Sequence, residues 1–301
     1  MHADQLHIDA ALAAALIDAQ FPDYRGLPVV RLDGAGTVNA IFRVGEHVTA
    51  RFPLQPREPL KAEDALRREA ASMDELADNV PVPAPRSRGI GSPGLGYPMP
   101  WSLQSWVVGD VATTDGLAAS SALAEDVVEL IAALRAVDRR GRSFDGVGRG
   151  GELKTHDGWM ATCFKYSEGL LDVPRLQRLW ARLRELPPKS GDVMSHRDLI
   201  PANLLVRDDR LVGVLDTGGF GPADPSLDLV AAWHLFDDAR RALIRQRLGS
   251  GQVEWLRGAA WAFVQAMGLP WYYRITNPAM AALGLSTLAR LLADPEVSAL
   301  P

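Results

Sequence analysis

The sequence predicts an α+β protein in two lobes, a small N-terminal antiparallel sheet lobe and a larger, mostly helical C-terminal lobe. Three observations carry this expectation. At 301 residues the chain is long for a single core. Its first part holds short β-type runs separated by glycine turns. Beyond Gly109 the apolar residues recur at helical rather than strand spacing. The junction is therefore placed at Gly109, giving lobes 1–108 and 109–301.

The elements follow in chain order. Asp9 can cap a first helix running to Gln20, with Pro22 as its stop. Strands are expected over Val29–Leu32, Ala40–Val44 and Val48–Phe52, with turns at Gly34–Gly36 and Gly45–Glu46. After the prolines at 53, 56 and 59 a charged helix runs over Glu63–Asp78. The stretch 80–100 reads as irregular, rich in Pro and Gly, before a strand over Ser102–Val108. Helices are then expected over Ser121–Val137, Pro174–Leu186, Ala239–Leu248, Val253–Met267 and Pro278–Leu292, the last capped by Asn277. Arg139–Gly151, rich in Gly and Arg, is expected to be a mobile loop.

Composition narrows the class of function. A formal net charge of −5 gives no basic footprint for nucleic acid. Cys163 is the only cysteine, which excludes an intrachain disulfide and a Cys-based zinc site and fits a reducing compartment. The first nine residues lack the basic start and apolar core of a signal peptide. The apolar run Ala10–Ile17 is far too short to span a bilayer. A cytoplasmic protein with no membrane partner is expected, as a monomer or a homodimer.

One stretch carries chemistry. Ser195 to Asn203 reads H-R-D-x-x-x-x-N and leads through an apolar run into Leu215 and Asp216. Two short strands, Asn203–Val206 and Leu211–Asp216, flank the turn Arg207–Arg210, so the polar residues fall at strand edges. Phosphoryl transfer to a hydroxyl needs an acceptor for the proton and oxygen ligands for Mg²⁺. Asp198 suits the first role. Asn203 and Asp216 suit the second, because Mg²⁺ takes hard oxygen donors and few protein ligands. Asp228 is expected to brace the catalytic loop, His196 to pack or hydrogen-bond, and Asp224, ahead of Pro225, to cap a helix.

Further upstream, Gly34, Gly36 and Asn39 lie on a hairpin turn that can lay backbone N–H groups over nucleotide phosphates. A plain hairpin explains the same glycines equally well. Arg51 stands on the third strand, where a kinase-type site places a cation on the phosphates. Glu69 is the expected partner of that cation, with Glu63 and Glu75 as alternatives.

Taken together these residues resemble the aminoglycoside phosphotransferase family of the protein-kinase-like superfamily. Gly34-x-Gly36-x-x-Asn39 is similar to the family's nucleotide loop, Val48 to Pro53 to its cation strand, and Arg68-Glu69-Ala70 to its helix glutamate. Trp106 to Gly109 resembles its hinge, His196 to Asn203 its catalytic loop, and Leu215-Asp216 to Leu229 its metal segment. The resemblance implies a protein-kinase-like fold whose small lobe holds a five-stranded sheet. It also implies a hinge backbone near Ser105 and Val107 that pairs with the nucleotide base, ATP or GTP as donor, and Mg²⁺. Arg51 stands where lysine is usual, and Thr217 follows Asp216 where many members carry an aromatic residue.

The expected reaction is Mg²⁺-dependent transfer of a nucleotide γ-phosphate to a hydroxyl of a small molecule, an antibiotic in the first reading. A metabolic kinase for a choline-, homoserine- or sugar-like acceptor shares the same motifs. A nucleotide-binding pseudokinase is disfavoured by the intact Asp198, Asn203 and Asp216. For the acceptor, the C-terminal stretch offers Asp237, Asp238 and Glu254 against six arginines, at 240, 241, 245, 247, 257 and 274. It also holds Trp233, Trp255, Trp261, Trp271, Tyr272 and Tyr273. Aromatic walls favour a less cationic hydroxylated ligand, with at least half of these rings expected in the core.

Overall fold

In the computed structural model, residues 5–32, 38–113, 116–188 and 191–300 are described. The chain forms two compact units. One comprises Met1–Asp78, Pro83–Val108 and Val214–Gly219; the other comprises Asn79–Val82, Gly109–Gly213 and Phe220–Pro301.

The first unit begins with α1 (Ala10–Gln20), whose N-cap Asp9 accepts a 2.8 Å hydrogen bond from the Leu12 N–H. Strands β1 (Val29–Arg31), β2 (Asn39–Val44) and β3 (Val48–Pro53) follow, then α2 (Pro59–Asn79), β4 (Ser87–Gly91) and β5 (Trp101–Ser105). They form a five-stranded antiparallel sheet in the order β1-β2-β3-β5-β4. Period-two alternation sends Ala40, Phe42 and Val44 of β2, with Val48, Ala50 and Phe52 of β3, into the core. There Phe52 stacks on Trp101 at 4.7 Å and meets Phe42 edge-on at 5.7 Å. The same alternation turns Arg51 to the opposite face, in register with Ile41 and Ser102.

Several boundaries differ from expectation: the strand expected over Ser102–Val108 is Trp101–Ser105, the helix expected to reach Leu186 ends at Leu183, and the strands expected over Asn203–Val206 and Leu211–Asp216 are Leu204–Arg207 and Arg210–Val214. Helix α2 starts at Pro59, four residues earlier, because the Glu58 carboxylate accepts from the Leu60 and Lys61 amides. Strand β4 lies inside the stretch expected to be irregular. Its Gly89 has φ of +144°, and a Cβ there would sit 2.5 Å from the Phe21 ring. The glycines that suggested a loop instead admit a close aromatic contact.

In the second unit β6 (Asp110–Val111) is followed by α3 (Ser121–Ala136), α4 (Asp157–Tyr166) and α5 (Val173–Leu183). Then come β7 (Val193–Ser195), β8 (Leu204–Arg207), β9 (Arg210–Val214) and β10 (Gly221–Ala223). The chain ends in α6 (Val230–Leu235), α7 (Asp238–Leu248), α8 (Gln252–Ala266), α9 (Leu269–Tyr272), α10 (Pro278–Ala293) and α11 (Pro295–Ser298). Strands β6, β8 and β9 make one small sheet, and β10 with β7 another. Gly109 opens the long segment of this unit at φ of +158°, where a Cβ would stand 2.8 Å from both Leu205 and Val212 side chains; only glycine fits. Asp208 and Asp209 turn β8 into β9 with φ of 50° and 58°. Helix α8 is buried along almost its whole length, and Trp233, Trp261 and Phe263 are fully enclosed. Cys163 on α4 is buried too, and burial pushes its thiol up to about 11. Among the described residues no helix is long and apolar enough to cross a membrane.

Candidate active site

In the first unit a cavity of about 160 Å³ is lined by Asn39, Arg51, Arg57, Glu69, Met99 and Ser102, among others. The polar faces of β2, β3 and β5 supply three of these, and one face of α2 supplies Glu69. Arg51 points both terminal nitrogens at Asp216 Oδ1, each at 3.2 Å. Asp216 has φ of +55°, a left-handed conformation that aspartate tolerates better than most side chains. Burial pushes the Glu69 carboxyl above its ordinary value, Arg51 pulls it down, and Asp216 pushes it up again. Glu69 thus acts on Arg51 through its field, while the direct partner of Arg51 is Asp216. Gly218 lets the segment after Asp216 lie against α2, since a Cβ there would be 3.2 Å from the Glu69 Cβ. Glu63, an alternative partner for Arg51, pairs with Arg67 instead.

Ser105 closes β5. Its N–H donates to the Arg86 carbonyl at 2.8 Å and its Oγ accepts from the Arg86 N–H at 2.9 Å. The Val107 side chain, two residues further on, is buried. Gly34 and Gly36 lie outside the described residues.

In the second unit the loop after β7 presents Asp198. Arg197 takes φ of +70°, and its N–H donates to Ser195 Oγ at 3.0 Å and to Asp228 at 3.3 Å. The His196 N–H donates to the other Asp228 oxygen at 3.1 Å, and the Asp198 N–H reaches His196 Nδ1 at 3.3 Å. Asp228 therefore braces the loop through backbone amides, as expected, from a fully buried position that pushes its carboxyl upward. Asn203 donates Nδ2–H to the Asp198 carbonyl at 2.8 Å. Its one remaining side-chain polar atom is Oδ1, a hard acceptor of the kind Mg²⁺ takes. Among the described residues no three His, Cys, Asp or Glu side chains gather as a metal cage.

Two partners of Asp198 escaped the sequence. Arg149 Nη2 and Gln265 Nε2 both reach Asp198 Oδ1, at 2.5 and 3.3 Å. Arg149 belongs to the Gly/Arg-rich stretch expected to be mobile. That stretch is instead tied to the catalytic loop, for Arg197 donates to Asp145 at 3.1 Å and to the Val147 carbonyl, and lies over the Phe144 ring. Asp224 also departs from expectation. Rather than capping a helix, its carboxylate takes a buried ion pair from Arg257, the Trp261 indole N–H at 3.0 Å and the Ser226 amide at 3.0 Å.

The sequence pattern of the phosphotransferase enzyme family matches residues 29–265. The chain belongs to that family. No curated protein matches it by sequence. Solved structures do match this phosphotransferase. The GDP complex of wild-type aminoglycoside 2'-phosphotransferase-IIIa gives a TM-score of 0.68 at 20% identity, covering 97% of this chain and 99% of that one. The GDP and kanamycin complex of APH(2")-IIia gives 0.67 at 20%, covering 92% and 97%. The macrolide 2'-phosphotransferase of Brachybacterium faecium gives 0.61 at 18%, covering 93% and 97%. At such identities the likeness establishes the fold, an α+β protein-kinase-like architecture with a small antiparallel sheet portion and a helical portion.

The phosphotransferase uses its C-terminal arginines largely on itself. Arg240 pairs with Asp237, Arg241 with Asp238 and Asp294, Arg245 with Glu296, and Arg257 with Asp224. Of the six aromatics, Trp233, Trp255 and Trp261 are core. Trp271 stacks on Tyr166 at 4.8 Å and tilts against Trp159 at 6.1 Å, with Tyr272 edge-on at 5.6 Å. Trp159, Tyr166 and Tyr272 remain exposed.

Proposed function

We propose that this phosphotransferase moves the γ-phosphate of ATP or GTP, with Mg²⁺, to a hydroxyl of a small-molecule antibiotic. The observation that carries the reading is Asp198, a carboxylate with one oxygen gripped by Arg149 and Gln265 and the loop beneath it braced by Asp228. Asp198 Oδ2 takes the acceptor's hydroxyl proton as the hydroxyl oxygen bonds to the γ-phosphorus and the bond to the leaving nucleoside diphosphate breaks. Arg51, set in the field of Glu69, steadies the phosphates. Asn203 Oδ1 and the Asp216 carboxylate would hold Mg²⁺, which supplies neutralisation of charge on the β- and γ-oxygens. Gly34, Gly36 and Asn39 serve as the phosphate turn, and the backbone around Ser105 and Val107 as the base-binding edge. Lobes of 1–108 and 109–301 and a cytoplasmic setting complete the reading.

GDP, kanamycin and macrolide names among the structural matches support a nucleotide donor and an antibiotic acceptor. The exposed Trp159, Tyr166 and Tyr272 favour an acceptor with sugar or apolar faces over a bare polyamine. The test is phosphate transfer from ATP and GTP, with Mg²⁺, to aminoglycosides, macrolides, amino alcohols and sugars, read by mass spectrometry. Turnover should fall roughly 10²- to 10⁴-fold in Asp198→Asn, the scale of a lost general base. Full rate in that variant would remove Asp198 from its role, and turnover of polyamines alone would sink the aromatic preference.

A further inference from the structure

Behind Asp198 runs a buried polar chain that the reaction as written does not use. Gln265 on α8 donates Nε2–H to Asp198 Oδ1 at 3.3 Å. Its Oε1 lies 2.9 Å from His234 Nε2 on α6, and His234 Nδ1 lies 2.8 Å from Thr287 Oγ1 on α10. His234 and Thr287 have no exposed surface, and Gln265 is 8% exposed.

Donor and acceptor roles along this chain follow from one end. An ionised carboxylate can only accept, so the Gln265 amide must present its NH₂ to Asp198. Its oxygen then faces His234 and needs a donor, which fixes the proton on Nε2. Nδ1 is left as an acceptor, and the Thr287 hydroxyl supplies its hydrogen. Burial, against the pull of the Gln265 bond, pushes His234 down to about 4, which keeps the ring neutral as this polarity requires.

We infer that His234 and Thr287 are positioning residues that lock Gln265 in one amide orientation and so hold the Asp198 carboxylate in its reactive rotamer. The inference rests on the reading of Asp198 as the base. Without the His234 N–H the Gln265 amide is free to flip, and its oxygen would then oppose Asp198 Oδ1. Three helices, α6, α8 and α10, thus fix a carboxylate that their sequence positions give no hint of serving.

The test has two readouts on the full chain. Nitrogen NMR of labelled histidine in the wild type should find His234 neutral, in the Nε2–H form, at about pH 6, below the ordinary value of a histidine. An Nδ1–H form or a charged ring there overturns the inference, and this readout stands even where a variant fails to fold. The second readout is Mg²⁺-dependent formation of nucleoside diphosphate from ATP or GTP with water, kanamycin or a macrolide as acceptor. Gln265→Met and His234→Leu should each lower kcat about 10- to 10²-fold, the scale of one hydrogen bond to a charged group, with nucleotide KM held. His234→Gln, whose amide can stand where Nε2 does, should keep most of the rate, which loss of packing alone would not allow. Full rate in Gln265→Met beside a crippled Asp198→Asn overturns the inference and leaves the base reading intact. Full rate in Asp198→Asn overturns both.

Discussion

Asp216 and Asp198 are two carboxylates of the proposed site, and the two units hold them in opposite ways. Asp216 is half exposed and, among the described residues, meets one cation, Arg51, at 3.2 Å. Asp198 is gripped by Arg149 and Gln265 on a loop whose backbone is pinned by Asp228 and Asn203. A group that must exchange one cationic partner for another gains from a shallow, solvent-screened contact. A proton acceptor has one useful orientation, and a misplacement near 1 Å can cost about 10² in rate. The difference matches the roles proposed for the pair: the binding carboxylate is left loose and the reacting one is braced.

The largest way to break this contrast lies at the base of the braced unit. Replacing Arg257 by Met strands the Asp224 carboxylate in a site where both side chains are 2% exposed. Unfolding free energy should drop by about 3–5 kcal/mol, the usual penalty for an orphaned buried charge. A loss under about 1 kcal/mol in urea titration would show that water reaches Asp224.

Next comes pH. His234 has a folded value of about 4 against an ordinary 6.5, so the unfolded chain binds this proton first as the medium is acidified. Its contribution is intact above about pH 6.5 and is lost as pH falls towards 4, roughly 3 kcal/mol in all. His234→Gln should flatten stability across that window, and an unchanged slope would assign acid sensitivity elsewhere.

Arg149→Ala sharpens the comparison on the kinetic side. Losing one charged partner of Asp198 should lower kcat about 10- to 10²-fold while leaving the nucleotide KM unchanged. Equal losses in KM would place Arg149 among the nucleotide-binding groups instead.

The smallest effects are expected in the loose unit. Arg51→Ala should change stability by under about 1 kcal/mol, as exposed ion pairs do, yet raise the nucleotide KM. Glu69→Gln should stabilise the fold slightly at neutral pH and not in acid. Its raised folded value means the unfolded state ionises first, so the native carboxylate opposes folding above that point. A destabilised Glu69→Gln at neutral pH would mean that the attraction to Arg51 outweighs burial.

How much could be read in advance follows the same division. The strand carrying Arg51, the helix carrying Glu69 and the loop from His196 to Asn203 were legible, because period-two and helical patterns and a local motif specify them, whereas Asn39, expected on the turn, is the first residue of β2. Helix α10 and its Asn277 cap were legible for the same reason. Arg149 and Gln265 were not. They reach Asp198 across 49 and 67 residues of sequence, and only tertiary packing sets such contacts. Asp224 misled because Asp before Pro is a good cap locally, and a buried arginine on a later helix prevailed over that preference. Strand β4 was hidden by glycines that serve an aromatic contact instead of a turn.

The lone thiol has a practical consequence. Cys163 is buried and held at about 11, so at neutral pH it offers almost no thiolate to an alkylating reagent. The native chain is therefore already a silent background for site-directed labelling. A Val147→Cys change on the exposed stretch beside Arg149 would place a single reactive handle next to Arg197, which bonds the Val147 carbonyl. A fluorophore there would report the order of the Asp198 surroundings in the unmodified fold, without first removing a native cysteine.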